Sequence, residues 1–447
     1  MRFETFVASR YLKSPRKDRS ISVITKISIT GVALGVAALI VVLSVMNGFE
    51  RDLRGALRGA NPHLTVYSMM SEGITGPESK TLEAKIREAI QVEEVAPFTT
   101  SQALIMGRNK PMGSLIKGID AQKEPQITRM NFFVRTELFE VQRQRDQTPE
   151  EKKAEEERAQ KSLDLLAPHY EMVARPNGKL RRTKVSGIII GSQLAKNLGV
   201  TINDWVTVIS PEERITPMGN MPRAKKFKVV GFFESGIMGY DEILSFVDLK
   251  SAQKVFGLKD KITGLSISLA DGDMAEEYKK DLQKSVKFPF TITSWIEQNK
   301  NLFAVIQLEK LGLAVILTLI IIIAAFNIIS SLVMLVIEKS KDIAILKSIG
   351  ATNSSIRKIF MYQGSIIGLT GTVIGEILGI TLCWIISEYD VVDIPSGVYI
   401  GNRIPMYIEP WQLVMIALIS FMICFIVTIF PSLKASKLNP VEGLRNE

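Results

Sequence analysis

Four long apolar runs interrupt an otherwise mixed chain. The first, residues 27–46, reads ISITGVALGVAALIVVLSVM and carries no charge. The second, 311–337, is also uncharged. The third, 359–387, holds one acid, Glu376, and the fourth covers 411–433. A helix needs about 20 apolar residues to cross hydrocarbon, so each run predicts a transmembrane helix. The first is too long for a signal-peptide core, and NGFERDLRG follows it in place of a small-residue cleavage site.

Between the first two runs the pattern changes. Within 47–310, HLTVYS and FKVVGFF show the alternation or β-branching of strands. SKTLEAKIREAI, GSQLAKNLGV and LKSAQKVFGL have helical spacing. The prediction is a membrane protein of four transmembrane α-helices, one plus three, with a large α+β domain inserted between helices 1 and 2. One stretch departs from this pattern. Residues 141–161, VQRQRDQTPEEKKAEEERAQK, are almost wholly polar or charged. They are expected to bury no face, as a solvated helix or a disordered spacer.

Two connections stand out. The segment 338–358, EKSKDIAILKSIGATNSSIRK, places Ile343, Ile345, Leu346 and Ile349 as an apolar strip among charges. Gly350 reads as a helix stop, and Asn353 or Ser354 as the cap of the next helix. Such a helix fits a groove in a partner or rests on lipid headgroups; the residues leave both open. The segment 212–227, EERITPMGNMPRAKKF, predicts a long β-hairpin arm. Pro217 and Pro222 remove backbone donors and stiffen it. Gly219 permits the tight turn, and Met218 and Met221 are adaptable apolar tips. From the residues alone it is either an idle hairpin or a binding arm.

The N-terminal 1–26 segment begins RFETFVASRYL after Met1, with Phe3, Phe6, Val7 and Tyr11 near one helical face. A short interfacial helix and a plain lead-in fit it equally.

Charge placement fixes a topology. The 447-residue chain is 46% hydrophobic with a formal net charge of +9. Lysine and arginine crowd the N-terminal tail, the 338–358 connection and the 434–447 tail, whereas 388–410 carries only Arg403. The positive-inside rule then puts both termini and 338–358 in the cytoplasm, and 47–310 and 388–410 outside. Arg51, Arg54 and Arg58 are a mild exception. The basic excess therefore follows the loops, which argues against nucleic acid as a partner. Cys383 and Cys424 lie in apolar runs and His63 and His169 stand apart, so no disulfide framework and no metal site are expected. The sequence holds no G-x-x-x-x-G-K-[ST], G-x-S-x-G or H-E-x-x-H. No catalytic residue is assigned, and any work the protein performs draws its energy from another subunit.

Three stretches carry a resemblance. VLSVMNGFERDL at 42–53, AAFNIISSL at 324–332 and EKSKDIAILKSIGAT at 338–352 resemble the signatures of the lipoprotein-releasing permeases, the LolC/LolE family. That family sits among the four-span ABC permeases with MacB and FtsX. The ending FPSLKASKLNPVEGLRNE is similar to the family's own. The resemblance spans nearly the whole chain; its main departure is about 137–184.

The resemblance implies a bacterial inner-membrane permease with a periplasmic inserted domain. It implies a LolD-like ATPase in two copies, which binds ATP and Mg, and no cofactor in this chain. It also implies a second permease, LolE-like or a second copy, and a LolA-like periplasmic carrier. The substrates are lipoproteins drawn from membrane lipid. Around a coupling helix it points to Glu338, Lys339, Asp342, Ile343, Ile345, Leu346 and Gly350. For a lipoprotein cavity it points to Val42, Val45, Met46 and Phe49 in the first span, and Phe326, Ile329, Leu332 and Val333 in the second. TPMGNMP resembles the LolC hook, which implies carrier contact by Thr216, Pro217, Met218, Gly219, Met221 and Pro222, with Lys225 and Lys226 as a polar pad beneath.

Asn327 reads as inter-helix glue, and Glu376 as a structural or peripheral acid, with a proton pathway as its rival. Other four-span permeases, of the efflux or hydrolase-regulating kind, are the alternative. Only about 26 residues precede the first span, against an ATPase fused there as in MacB. A membrane-anchored enzyme is disfavoured by the missing catalytic pattern.

Overall fold

A computed structural model describes residues 4, 7, 19–70, 73–136, 149–174, 180–216, 219–389 and 404–438. It divides into two compact units. One takes the described residues up to Glu50 and those from Ala304 onward; the other takes Arg51–Phe303.

Along the chain, helix α1 (Arg19–Ala60) leads to strand β1 (Leu64–Ser68), α2 (Gly76–Ala89), β2 (Glu94–Met106), β3 (Met112–Ile119) and the short β4 (Val134–Arg135). There follow α3 (Pro149–Asp164), β5 (His169–Ala174), β6 (Leu180–Val185), β7 (Gly187–Gly191) and α4 (Ser192–Leu198). Next come β8 (Trp205–Thr216), β9 (Gly219–Phe233), β10 (Leu244–Asp248), α5 (Leu249–Val255), β11 (Gly264–Ser268), α6 (Ala275–Ser285) and β12 (Phe290–Ser294). Four further helices complete the order: α7 (Lys300–Glu338), α8 (Ser340–Ser348), α9 (Asn353–Glu388) and α10 (Pro410–Ser436).

Helices α1, α7, α9 and α10 are long and apolar enough to cross a membrane. Their shared core includes Val32, Val36, Ile40, Ile321, Ile328, Phe360 and Ile367. Small residues set the spacing. A Cβ on Gly364 of α9 would fall 2.1 Å from the Thr428 hydroxyl of α10, and one on Gly368 would fall 2.6 Å from the Cys424 Cβ. Further along α9, a Cβ on Gly375 would fall 2.6 Å from the Ala33 carbonyl oxygen of α1. Close backbone approach is how spans gain dispersion contact when lipid is as apolar as their side chains.

The helices outrun the apolar segments that predict them. Helix α1 continues to Ala60 because Leu53, Ala56 and Leu57 recur at helical spacing and are buried. Its end is fixed within the inserted unit: Arg129 N–H donates to the Gly59 carbonyl at 2.8 Å, and Asn61 Nδ2 to the Tyr240 hydroxyl at 3.2 Å.

In the inserted unit, β12, β1, β11 and β2 form an antiparallel sheet in that order. Helices α2 and α6 pack together beside it, α6 on β12 and α2 on β11. Strand β2 then serves twice. Its first half, 94–98, pairs with β11; its second half pairs with β3 and, at 104–106, with β8. From β3 the pairing runs through β10, β7, β9 and β8 back to β2. Six strands thus close into a ring. Its core holds Ile105, Ile188, Val206, Val208, Phe227 and Val229, and closure leaves no open edge between these strands.

The charged stretch needs correction. Residues 149–164 form a helix that does bury a face. Ala159, Ser162 and Leu163 are buried, and Ala159, Leu163 and the following Leu166 join Phe133, Val134 and Phe233 in one apolar cluster. Arg135, itself buried, pairs with Glu155 at 3.0 Å. Three small or apolar residues in a charged run were too few to register as a periodic face. The earlier part, 137–148, lies outside the described residues.

Candidate functional site

The arm predicted at 212–227 is the far part of the β8–β9 hairpin. Its register pairs Glu213 with Pro222, Arg214 with Met221 and Thr216 with Gly219. The ladder slips between Ile209 and Glu213, where a bulge gives the arm its own twist. Gly219 has φ +108°, a conformation only glycine adopts without strain. Pro217 and Met218 lie outside the described residues, and of Thr216 only the backbone is described. Met221 and Pro222 are exposed.

The two lysines beneath the arm differ. Lys226 is exposed, whereas Lys225 folds in, its ammonium 4.8 Å from the centre of the Phe227 ring. Burial lowers the Lys225 pKa. The Asp248 charge opposes that shift, and Lys254 and Lys184 add to it.

The 340–348 helix shows two faces. Ile343 and Ala344 are buried, Ile343 within the core shared by the spans, and Leu346 packs at its edge. Ile345 is 49% exposed and Ile349 79%. The apolar strip read from sequence is therefore split, with Ile343 turned inward and Ile345 and Ile349 outward. Glu338 is exposed; Lys339 lies 3.9 Å from Asp342. Gly350, with φ +106°, ends the turn. The cap of α9 is Thr352, whose hydroxyl accepts from Ser355 N–H. Asn353 and Ser354, the expected caps, fall inside the helix, because the first helical residue sits one position earlier than the sequence suggests.

In the spans, Val42, Val45, Met46 and Phe49 are half-buried. Phe326 is 59% exposed, and Ile329 and Val333 are half-buried. Leu332 does not join them; at 1% exposure it points into the core beside Ile328. Asn327 is exposed; its contribution to helix contact is its backbone carbonyl, which accepts from the Ser28 hydroxyl at 3.2 Å. Glu376 is half-buried. Among the described residues no group of three or more His, Cys, Asp or Glu side chains could hold a metal ion.

Comparison with known proteins places this geometry. Residues 25–285 match the MacB-like periplasmic core domain family, and residues 314–440 the FtsX-like permease C-terminal family. The lipoprotein-releasing system transmembrane protein LolC of Neisseria meningitidis serogroup B is 33% identical, over 99% of each chain. LolC of Xylella fastidiosa strain 9a5c is 32% identical, over 99% of this chain and 98% of its own. The chain belongs to the LolC/LolE family. LolE of Haemophilus influenzae is more distant, at 26% identity over 98% of each chain.

The chain is thus a membrane permease of the MacB/FtsX type. The MacB-like match takes in the first span and most of the inserted periplasmic domain; the FtsX-like match takes in the other three spans and the 340–348 helix.

Two features of this LolC/LolE-family chain escape sequence reasoning. At the root of the arm lies an open cavity of about 740 Å³, lined by Leu104, Leu115, Ile209, Pro211, Pro222 and Ile243 among others. These come from strands far apart in sequence, so no local pattern announces them. The second is a polar cluster joining three spans. Lys310 of α7 donates to Asn47 Oδ1 at 2.9 Å and also pairs with Glu50, both on α1. Asn47 Nδ2 donates to Gln412 Oε1 at 2.7 Å, and Gln412 Nε2 to Glu409 Oε2 at 2.7 Å. Lys310 lies just before its apolar run, and its partners are far away in sequence, so no local pattern announces them.

Proposed function

We propose that this chain is the permease subunit of an ATP-driven transporter. It extracts lipoproteins from the outer leaflet of the bacterial inner membrane and hands them to a soluble periplasmic carrier. The chain performs no chemistry itself. ATP and Mg are bound by a separate LolD-like ATPase in two copies, docked under the 340–348 helix. The second permease is LolE-like or another copy of this chain. Both termini lie in the cytoplasm, as the lysine and arginine placement requires. The relatives' names supply the cargo class. The physical need is clear: each buried CH₂ is worth about 0.8 kcal/mol, so a multiply acylated lipid does not enter water unaided.

The observation that carries the carrier step is the arm. It is a two-stranded hairpin with Met221 and Pro222 exposed near its tip, on a chain whose first relatives are LolC proteins. The outward Ile345 and Ile349 support ATPase docking, and the exposed Phe326 with its half-buried neighbours supports a cargo-facing surface in the second span. Deleting 216–222, or making Pro217→Glu, should abolish carrier binding and leave ATPase assembly intact. Carrier pulled down at wild-type levels by the deletion variant would overturn the proposal.

A further inference from the structure

Helix α8 follows α7 directly and leads into α9, yet its strongest polar tie is to neither. Lys347 Nζ donates to the Ser436 carbonyl at 2.8 Å and to the Leu438 carbonyl at 2.8 Å. These oxygens lie at the C-terminal end of α10 and just past it. The last carbonyls of a helix have no intrahelical partner, and the helix dipole makes that end negative. A half-buried lysine aimed there satisfies both.

The apolar contacts agree with the polar one. Ile343 of α8 is buried in the same cluster as Ala435 of α10, with Leu346 and Leu438 packed against it. Ile343 and Lys347 are four residues apart and share a face. Ile345 and Ile349 share another, which is exposed. One face of α8 therefore grips the fourth span and the other is left for a partner. From α10 the contact chain continues through Thr428 and Cys424 to Gly364 and Gly368 of α9, and through Gly375 to Ala33 of α1.

We infer that Lys347 is a positioning residue that makes α8 and the cytoplasmic end of α10 move as one body. A push on the outward face of α8 by a nucleotide-hydrolysing subunit then reaches the fourth span directly. Without the tie the push would pass to the fourth span only through apolar packing, Ile343 and Leu346 against Ala435 and Leu438, which lets the helices slide. This rests on the proposed function for the identity of the pushing subunit and of the transported cargo. The linkage itself stands on the geometry. Interfaces of this kind slide by small shear steps unless a directional contact pins them. A lysine making two hydrogen bonds to fixed carbonyls is such a pin.

The test uses the complete transporter, with its ATPase, in lipid nanodiscs. Spin labels at Lys341 and Lys434, both exposed, report the distance between the two helices by pulsed EPR. The wild type should show one narrow distribution, the same without nucleotide and with trapped ATP. Lys347→Met, which keeps the stem and loses the donors, should broaden or shift it on ATP binding; Lys347→Arg should restore it. In the same preparations Lys347→Met should transfer lipoprotein to the carrier at least tenfold more slowly, with ATP hydrolysis and ATPase co-purification within twofold of wild type. An unchanged distribution in Lys347→Met, wild-type transfer, or loss of the ATPase on purification would each overturn the inference. If the wild type itself transfers no lipoprotein, the proposed function fails and the EPR comparison still judges Lys347. Should Lys347→Met not fold, Lys347→Cys with Leu438→Cys, joined by a bifunctional thiol reagent, replaces it. Bodies that move together keep ATP-driven transfer when joined, and its loss would refute the tie.

Discussion

Gly364 and Thr428 meet at the tightest point between the third and fourth spans, where a Cβ on the glycine would lie 2.1 Å from the threonine hydroxyl. That hydroxyl is itself committed, donating to the Cys424 carbonyl at 2.7 Å, with both residues buried. Neither partner can yield cheaply. Gly364→Val should therefore destabilise the spans by about 1–3 kcal/mol, the usual cost of overpacking. Thermal unfolding in detergent checks this. Gly312→Ala, where a Cβ meets nothing within 4 Å, is the control and should not lower the transition, since Ala suits a helix interior better than Gly.

In the inserted domain, Lys117 of β3 pairs with Glu124 at 2.8 Å, and the acid is only 1% exposed. Thr128 adds a weak hydrogen bond at 3.4 Å, and the second carboxylate oxygen has no partner among the described residues. Removing one member of such a pair leaves a buried charge. Lys117→Met should cost about 3–5 kcal/mol, and Lys117→Met with Glu124→Leu should recover most of it. Denaturant unfolding of both variants would decide; equal losses in the single and double variants would contradict the pair's role.

His63 gives the domain a pH dependence. Its Nδ1 accepts from Leu269 N–H at 2.9 Å, so the ring must stay neutral there. Burial lowers its pKa from 6.5, and Arg58 lowers it further; Glu93 and Asp271 act the other way. The unfolded chain takes up a proton near pH 6.5 before the folded one does. Stability is therefore full above that value and is lost as pH falls through 6.5 toward the lower folded value. His63→Asn keeps an acceptor and removes the titration. Its stability profile between pH 7 and pH 5 should be flatter than that of the wild type.

The Lys310 cluster binds α7 to α1. Lys310→Met takes away the cation shared by Asn47 and Glu50. It should lower thermal stability in detergent by about 1.5–3 kcal/mol, the range for hydrogen bonds to a charged group. Glu376→Gln offers a contrast. A half-buried acid with a peripheral role should tolerate it with transport unchanged, and a loss of transport would point to a proton pathway instead.

The sequence was most legible where one signal dominated. Apolar length announced the four spans, and Gly219 with two prolines announced the turn of the arm. It was least legible where the answer depended on what lay opposite. The strip Ile343, Ile345, Leu346 and Ile349 looked uniform, because nothing local says that Ala435 and Leu438 take one side of it. Leu332 resembled its neighbours Ile329 and Val333 for the same reason. Helix 149–164 was hidden by its charges: Ala159 and Leu163 suffice to bury it only because Phe133, Val134 of β4 and Phe233 of β9 lie opposite. The ring itself could not be read at all, since parallel pairings such as β3 with β10 join segments more than a hundred residues apart.

Strand β2 has a practical consequence. Residues 94–106 are the common property of the antiparallel sheet and the ring, so the domain has no seam at which it can be divided. Removing 99–106 would leave the ring open between β3 and β8. Removing 94–98 would strip β11 of its β2 neighbour. Either change would display unpaired backbone along a hydrophobic strand, which is what recruits a second chain. Anyone wishing to study the halves apart must give each its own copy of this strand.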